Sequence, residues 1–340
     1  MPRREVVAVG ASAGGVEALR QLVARLPADF AATVLVVLHL PTSAFSALPS
    51  ILHRAGPLPA MTAEDEMPLK PGMVIVAPPD RHLTIRDGHV ILGRGPKENG
   101  HRPAIDPMFR SVARWYGPQV VGVVLSGTLD DGAAGLATIK DRGGAVVVQD
   151  PRTALYGGMP GAALRVVPDA RVVPGTEIAD VVVELCREDV GEDVPPVDRE
   201  LLIETEIPEL GESALADPHR PGRYTAMTCP DCNGAMFELD QGSTVRYRCR
   251  VGHAWSPESL LLQQVESAEA AIWAAIRSLE EKAALHRNLA DRTGQSVLAR
   301  QYHDERADDS SSSAAVLRDL LRRPLSGAAV EYERDEPENR

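Results

Sequence analysis

Ser12, His39 and Asp131 have the types that acyl transfer requires, each placed at the end of an apolar run or in the turn after one. A serine hydroxyl needs a base to take its proton, and a histidine base needs a carboxylate to fix its tautomer. Ser12 lies in Gly10-Ala11-Ser12-Ala13-Gly14, a Gly-x-Ser-x-Gly pattern whose glycines permit the sharp strand-to-helix turn that lifts a serine hydroxyl above a sheet. The N–H groups of that turn, at Ala13 and Gly14, open the following helix and suit a developing oxyanion. His39 ends the run "TVLVVLHLP", and Asp131 follows "VVGVVLSGTLDDGAAG" in the turn before the next helix. Taken singly, His39 also reads as a buried structural histidine and Asp131 as the N-cap of its helix. A phosphate-binding turn is the competing use of the glycines. It fits poorly, because Ser12 stands where a dinucleotide fingerprint has its middle glycine, and no Gly-Lys-Ser/Thr follows. His39 also stands where a ribose-binding carboxylate belongs, and Asp29 comes too early.

Such distant residues can meet only if strands carry them to one edge. Residues 5 to about 183 alternate β-branched runs with helical patterns, which predicts a doubly wound, mostly parallel, three-layer α/β/α fold. Strands are expected at Glu5–Val9, Thr33–Leu38, Gln119–Leu125 and Ala145–Gln149, and helices at Val16–Leu26, Asp106–Trp115 and Ala133–Arg142. The carboxyl ends of parallel strands share one edge, so Ser12, His39 and Asp131 can converge there. "GMVIVAPPDRHLTIRDGHVILG" (72–93) predicts an antiparallel hairpin turning at Asp87-Gly88 and flanking that edge.

The net charge of -12, from 48 acidic and 36 basic residues, argues against nucleic acid or an anionic membrane as partner. There is no signal-like segment and no apolar run long enough to span a bilayer, so a cytoplasmic chain without membrane insertion is expected. Residues 184–224 have the composition of an acidic linker. After it, Cys229, Cys232, Cys249 and His253 form Cys-x2-Cys…Cys-x3-His, a closed set suited to structural zinc in a ribbon-like module over 225–255, with a hairpin turning at Asp240–Ser243. The other reading is a small hairpin packed by Phe237, Tyr247 and Trp255. Ser256-Pro257 starts a helical hairpin over 256–323, with a stripe at Leu261, Val265, Ala268, Ile272, Ala275 and Leu279. Its second helix is expected from Ser296 to Leu321, and 324–340 as a disordered tail.

Five segments in order resemble the catalytic domain of the CheB-type chemotaxis protein-glutamate methylesterases: "VAVGASAGG", "VVLHLP", "HRPAIDPMFRSVA", "VVLSGTLDDGAAGL" and "YGGMPGAAL". The resemblance covers residues 5 to about 183. It implies Ser12 as nucleophile, His39 as general base and Asp131 as its orienting carboxylate, with no catalytic cofactor. The implied reaction is hydrolysis of glutamate methyl esters on a methylated chemoreceptor, with glutamine deamidation permitted by the same chemistry. Two departures stand out. The family pattern Met-Gly-x-Asp-Gly reads Thr128-Leu129-Asp130-Asp131-Gly132 here; Asp131 is aligned because it precedes the glycine, and the Thr128 amide takes the oxyanion role of the methionine. Family members usually open with a receiver domain, whereas the first catalytic strand here opens at Glu5, so a receiver-less form without a built-in phosphorylation switch is expected.

Arg102 in "HRPAIDP" is a candidate substrate contact or a surface ion-pair partner. His53, His82, His89, His219, His286 and His303 have no motif partner and are expected on the surface or on helix faces. The competing function is a regulatory or adaptor protein whose zinc and helical block binds a chemosensory partner.

Overall fold

Runs of Val, Leu and Ala without polar alternates have no face to give to water. In the computed structural model they form one seven-stranded sheet in which every pairing is parallel. The structure describes residues 2–41, 46–191, 194–209, 222–240, 244–292 and 296–322. The strands are β1 (Val6–Ala11), β2 (Thr33–Leu38), β3 (Ala60–Thr62), β4 (Val74–Val76), β7 (Val120–Val124), β8 (Ala145–Gln149) and β9 (Arg171–Val173), in the order β3-β4-β2-β1-β7-β8-β9. β2 and β8 match their expected bounds, and β1 runs two residues further than expected, up to the turn at Ser12.

Alternate side chains of each strand serve two layers. Val7, Val9 and Ala11 of β1 pack with α1 (Gly15–Arg25), α2 (Leu48–Ala55) and α6 (Ile178–Arg187). Val6 and Ala8 pack with α3 (Ile105–Tyr116), α4 (Ala133–Asp141) and α5 (Gly158–Val166) on the other face. Leu19, Leu22, Phe109 and Leu136 are at most 1% exposed, and each such side chain contributes about 1.5–3 kcal/mol by leaving water. The chain runs outward from β1 through β2 and returns to β7 on the other side, so the switch point lies between β1 and β7, where open α/β sheets place their ligand sites.

The predicted hairpin is β5 (His82–Arg86) and β6 (His89–Gly93), turning at Asp87-Gly88 with φ of 46° and 75°. The front of that segment belongs elsewhere: Val74–Val76 pairs with β2 as a strand of the main sheet.

The acidic stretch differs from a linker. Glu184–Arg187 completes α6, and Arg199–Glu206 forms α7, capped by Asp198, whose side chain accepts from the Leu201 N–H at 2.7 Å. Composition counts these carboxylates without their partners. Glu204 is buried against Arg246 and Arg248, and Glu209 bonds Thr84 and Arg86. Residues 210–221, with Glu212, Asp217 and His219, lie outside the described residues.

A four-stranded antiparallel sheet follows: β10 (Arg223–Thr228), β11 (Ala235–Asp240), β12 (Val245–Cys249) and β13 (Ala254–Trp255). The expected turn falls mostly on 241–243, outside the described residues. Residues up to Leu260 form one compact unit, so this sheet is part of the same body as the seven-stranded sheet and its helices.

The second unit begins at Leu261 and holds most of α8 (Pro257–Arg292) and all of α9 (Val297–Leu321). Ser256 caps α8, its Oγ accepting from the Ser259 N–H at 3.1 Å. The expected stripe holds in part: Val265, Ile272 and Leu279 are half-buried, but Leu261, Ala268 and Ala275 are exposed, and Ile276, Ala283 and Ala290 are the buried positions. α9 has 25 residues against 36 in α8, and its own buried residues are Ala307, Ser310 and Ala314. Its cover therefore reaches only the later turns of α8, and a 3.6-residue period drifts off a strict four-three alternation. The tail over 324–340 lies outside the described residues.

Candidate active site

Adjacent parallel strands deliver the first two residues. β1 and β2 pair in register as far as Ala11 with Leu38, so Ser12 and His39 each stand one residue past the last pair. The backbone keeps that register beyond the strands, with the His39 N–H donating to Ala11 O and the Ser12 N–H to Ser126 O at the end of β7. Gly14, at φ +72°, lets the chain turn into α1, where a Cβ would strike Ser126 Oγ at 2.8 Å.

Ser12 Oγ lies 3.1 Å from His39 Nδ1, and His39 Nε2 lies 2.7 Å from Asp131 Oδ2. The His39 and Asp131 side chains are 6% and 3% exposed. Asp131 also accepts from the N–H groups of Ile105 (2.7 Å) and Asp106 (3.3 Å), at the start of α3, and from Asn99 Nδ2 (3.0 Å). Burial pushes its carboxyl up, but the hydrogen bond and charge of His39, with the Ile105 N–H, outweigh it and hold the group at about 2. Such an arrangement keeps Asp131 ionised and fixes the proton of neutral His39 on Nε2, so that Nδ1 presents a lone pair to the serine.

Three neighbours of this chain were not read from the sequence. His101 stacks on His39, ring centroids 3.7 Å apart and planes at 11°. Burial, then the charge of His39, lowers it to about 4, so it adds a flat neutral wall to the site. Asp106 is buried and accepts from the Gly132 and Gly135 N–H groups at 3.1 and 2.7 Å. Its burial and the charge of Asp131 raise it to about 7. Asn99 spans the gap between Asp131 and the second sheet. All three lie in or beside "HRPAIDP", a segment read as part of the family resemblance and for Arg102 as a candidate contact, with no role given to these three.

The N–H groups of Ala13, Gly14 and Thr128 have no acceptor among the described residues. Thr128 is exposed and follows Gly127, where a Cβ would lie 2.9 Å from Ser12 Cβ. Leu129 turns the loop at φ 60°. Arg102 is tied down: Nε and Nη2 bond Asp80 Oδ1 at 2.9 and 2.5 Å, and Nη1 bonds Gly95 O at 2.9 Å. Asp130 accepts from Ser256 and Ser259 Oγ at 2.6 and 3.0 Å. His82 differs from the expected surface role: it is fully buried, with Nε2 at 2.9 Å from Pro96 O and Nδ1 accepting from the Ala104 N–H. His286 Nδ1 lies 3.0 Å from His303 Nδ1 within the helical unit.

The sequence model described as CheB methylesterase matches residues 7–182, just over half of the chain. The chain belongs to the CheB methylesterase family. It is 47% identical over 165 residues to protein-glutamate methylesterase/protein-glutamine glutaminase 3 of Anaeromyxobacter dehalogenans, covering 48% of each chain. It is 42% identical over 184 residues to the Myxococcus xanthus protein numbered 4 under the same name, covering 54% of this chain and 49% of that one. The crystal structure of the Thermotoga maritima CheB methylesterase catalytic domain matches with a TM-score of 0.51 and 32% identity, over 53% of this chain and 98% of that one. The chain spans about half the length of the curated relatives it matches.

Outside the family match, the ligand atoms of Cys229, Cys232, Cys249 and His253 lie within 4.8 Å of one another. Two tight turns present them, with Asn233 at φ 57° in one and Gly252 at φ 110° in the other. Cys249 Sγ is 3.6 Å from both Cys232 Sγ and His253 Nδ1. That separation is far beyond a disulfide bond of about 2.05 Å. It is close to the ~3.8 Å edge of a tetrahedron with 2.3 Å metal–sulfur bonds. The hydrogen bond between Cys249 and Cys229 acts on the two thiols in opposite directions, drawing Cys229 down and raising Cys249. Trp255 packs against Cys229 and Cys249. Among the described residues, no helix is long and apolar enough to cross a membrane.

Proposed function

We propose that this chain is a protein-glutamate methylesterase acting on methylated chemoreceptors, with glutamine deamidation as a second activity, through Ser12, His39 and Asp131. The observation that carries the reading is the unbroken run of hydrogen bonds from Ser12 Oγ through both ring nitrogens of His39 to an ionised Asp131, at the sheet's switch point. His39 Nδ1 takes the Ser12 proton as Oγ attacks the ester carbonyl. The N–H groups of Ala13, Gly14 and Thr128 hold the oxyanion, where one donor is worth on the order of 2.7–4 kcal/mol of barrier. Collapse breaks the bond to methoxide, which leaves as methanol with the proton from His39. Water, deprotonated by His39, then attacks the acyl-serine, and Ser12 leaves with its proton restored. A glutamine side chain follows the same course with ammonia as the leaving group. Asp131 stays ionised throughout and stabilises the imidazolium.

The finer assignments follow from the same reading. Cys229, Cys232, Cys249 and His253 hold a structural zinc ion, four ligands leaving no open position, and the reaction itself uses no cofactor. Exposed Leu261, Leu262 and Trp273 on α8 support a chemosensory partner for the helical unit, and the chain works in the cytoplasm. The decisive experiment incubates the full chain with radiomethyl-labelled receptor. The parent releases labelled methanol, and Ser12→Ala releases it slower by on the order of 10³-fold or more. Equal release by both would overturn the reading.

A further inference from the structure

The Asn99 side chain bridges from Ser256, next to the last strand of the second sheet, to the candidate triad. Asn99 Oδ1 accepts from the Ser256 N–H at 2.8 Å, and Asn99 Nδ2 donates to Asp131 Oδ1 at 3.0 Å. These two contacts decide how the amide is turned, because only its oxygen can accept and only its nitrogen can donate to a carboxylate. Asn99 is 4% exposed, so neither group has water as a substitute. The segment around it is gripped from several sides. The Asn99 N–H donates to Ala254 O (2.8 Å) and the Ala254 N–H to Lys97 O (3.2 Å), which lays β13 parallel to residues 97–99. Glu98, between them, is fully buried and bonded to Arg110, Arg246 and Arg248. The same Ser256 that caps α8 also donates its hydroxyl to Asp130, the residue before Asp131.

Ser256 lies three residues past His253, and the Cys249 N–H donates to His253 O at 3.0 Å. The Cys3His turn is thus continuous with the strand that sets Asn99. We propose that Asn99 is a positioning residue for Asp131, and that the Cys229, Cys232, Cys249 and His253 cluster, by holding zinc, fixes the β13 edge on which Asn99 depends. The esterase is then metal-sensitive at a distance, through a carboxylate that loses one of its four donors when the edge loosens. The inference rests on the reading of Ser12, His39 and Asp131 as the catalytic triad.

The test uses the full chain, supplied with zinc, and a peptide carrying a glutamate γ-methyl ester. Asn99→Ala removes both bonds and a longer one from Nδ2 to Asp106 Oδ2 at 3.5 Å, whereas Asn99→Asp keeps an acceptor for Ser256 but sets a like charge against Asp131. Expected is a fall in kcat on the order of 10- to 100-fold for Asn99→Ala, the rate equivalent of one hydrogen bond to a charged group, and a larger fall for Asn99→Asp. KM stays within about twofold, because substrate is not what Asn99 touches. The downfield proton resonance of the His39–Asp131 hydrogen bond shifts or broadens in both variants. Chelator treatment, checked by metal analysis, produces the same spectral change and kcat loss in the parent and adds nothing to Asn99→Ala. An Asn99→Ala protein with parental kcat and an unmoved resonance overturns the positioning role. A chain that takes up no zinc, or a stripped parent with an unmoved resonance, overturns the coupling. If the parent leaves the peptide ester intact, the triad reading fails, and the resonance alone still decides whether the two sites communicate.

Discussion

Asp131 Oδ2 lies 2.7 Å from His39 Nε2, and that contact leaves the other ring nitrogen, Nδ1, facing Ser12. With Asp131 held ionised at about 2, neutral His39 keeps its proton on Nε2 and turns the Nδ1 lone pair to Ser12. Nitrogen-15 spectra of histidine-labelled protein near neutral pH are expected to show His39 with a protonated Nε2 and a pyridine-type Nδ1. The opposite tautomer would remove Nδ1 as the base.

The adjacent aspartates separate in the same way. Asp131→Asn presents an amide where His39 needs an acceptor and favours the wrong tautomer, so kcat is expected to fall on the order of 10⁴-fold. Asp130 faces Ser256 and Ser259 instead, and Asp130→Asn keeps an acceptor oxygen for both hydroxyls. Its kcat is expected within about tenfold of the parent. Steady-state kinetics on the two variants decides between the aspartates, and a greater loss in Asp130→Asn would reverse the assignment.

Much of this site was legible in the sequence, for a physical reason. Uninterrupted apolar runs specify buried parallel strands, and such strands end at a common edge, so Ser12, His39 and Asp131 could be named before their distances were known. Register was not legible: nothing in "VAVGA" or "TVLVVL" says that Ala11 pairs with Leu38, which is what brings Ser12 beside His39. Asn99, His101 and Asp106 were missed because their roles are set by partners distant in the chain, as with Asn99 and its bonds to Asp131 and Ser256. The acidic stretch misled for the same reason, since Glu204 is a linker residue by composition and a buried ion-pair partner by structure.

Gly127 is expected to be intolerant of a side chain. A Cβ there would sit 2.0 Å from Met159 Sδ and 2.9 Å from Ser12 Cβ. The methionine end can swing away, but Ser12 Cβ is fixed by its backbone bonds to Ser126 and Gly15. Gly127→Ala should therefore cost about 1–3 kcal/mol of stability through overpacking, together with a kcat loss exceeding what the melting shift predicts. Thermal melts beside kinetics check this, and a fully active Gly127→Ala would mean that the loop yields without moving the serine.

Glu98 is expected to matter for stability more than any surface carboxylate. It is 1% exposed at its side chain and faces three arginines, two of them from β12. Their charges draw its carboxyl well below the usual range, against the opposing effect of burial, which is the largest single influence. Removing one member of a buried ion pair leaves unpaired charge, at a cost of about 3–5 kcal/mol. Urea denaturation of Glu98→Gln should show a loss of that order, whereas Glu17→Gln, half-exposed beside Arg20, should fall within about 1 kcal/mol of the parent.

Asp106 gives folding stability a pH dependence opposite in sign to that of Asp131. Burial first, then the charge of Asp131, raises its carboxyl from the ordinary 3.8 to about 7. Between those values the folded state holds a proton that the unfolded chain has released, so this contribution is complete below about pH 4 and is lost as pH rises through about 7. Asp130, raised by burial to about 6, acts in the same direction. Asp131, at about 2, contributes stability that is present above about pH 4 and is lost as pH falls toward 2. Between about pH 5 and pH 8 the urea midpoint of the parent is therefore expected to fall relative to that of Asp106→Asn, which has no proton to release while its oxygen still accepts from Gly132 and Gly135; His82 and His101, lowered by burial, act in the opposite sense in both proteins alike. Parallel profiles for the two proteins would show that Asp106 is already ionised at pH 5.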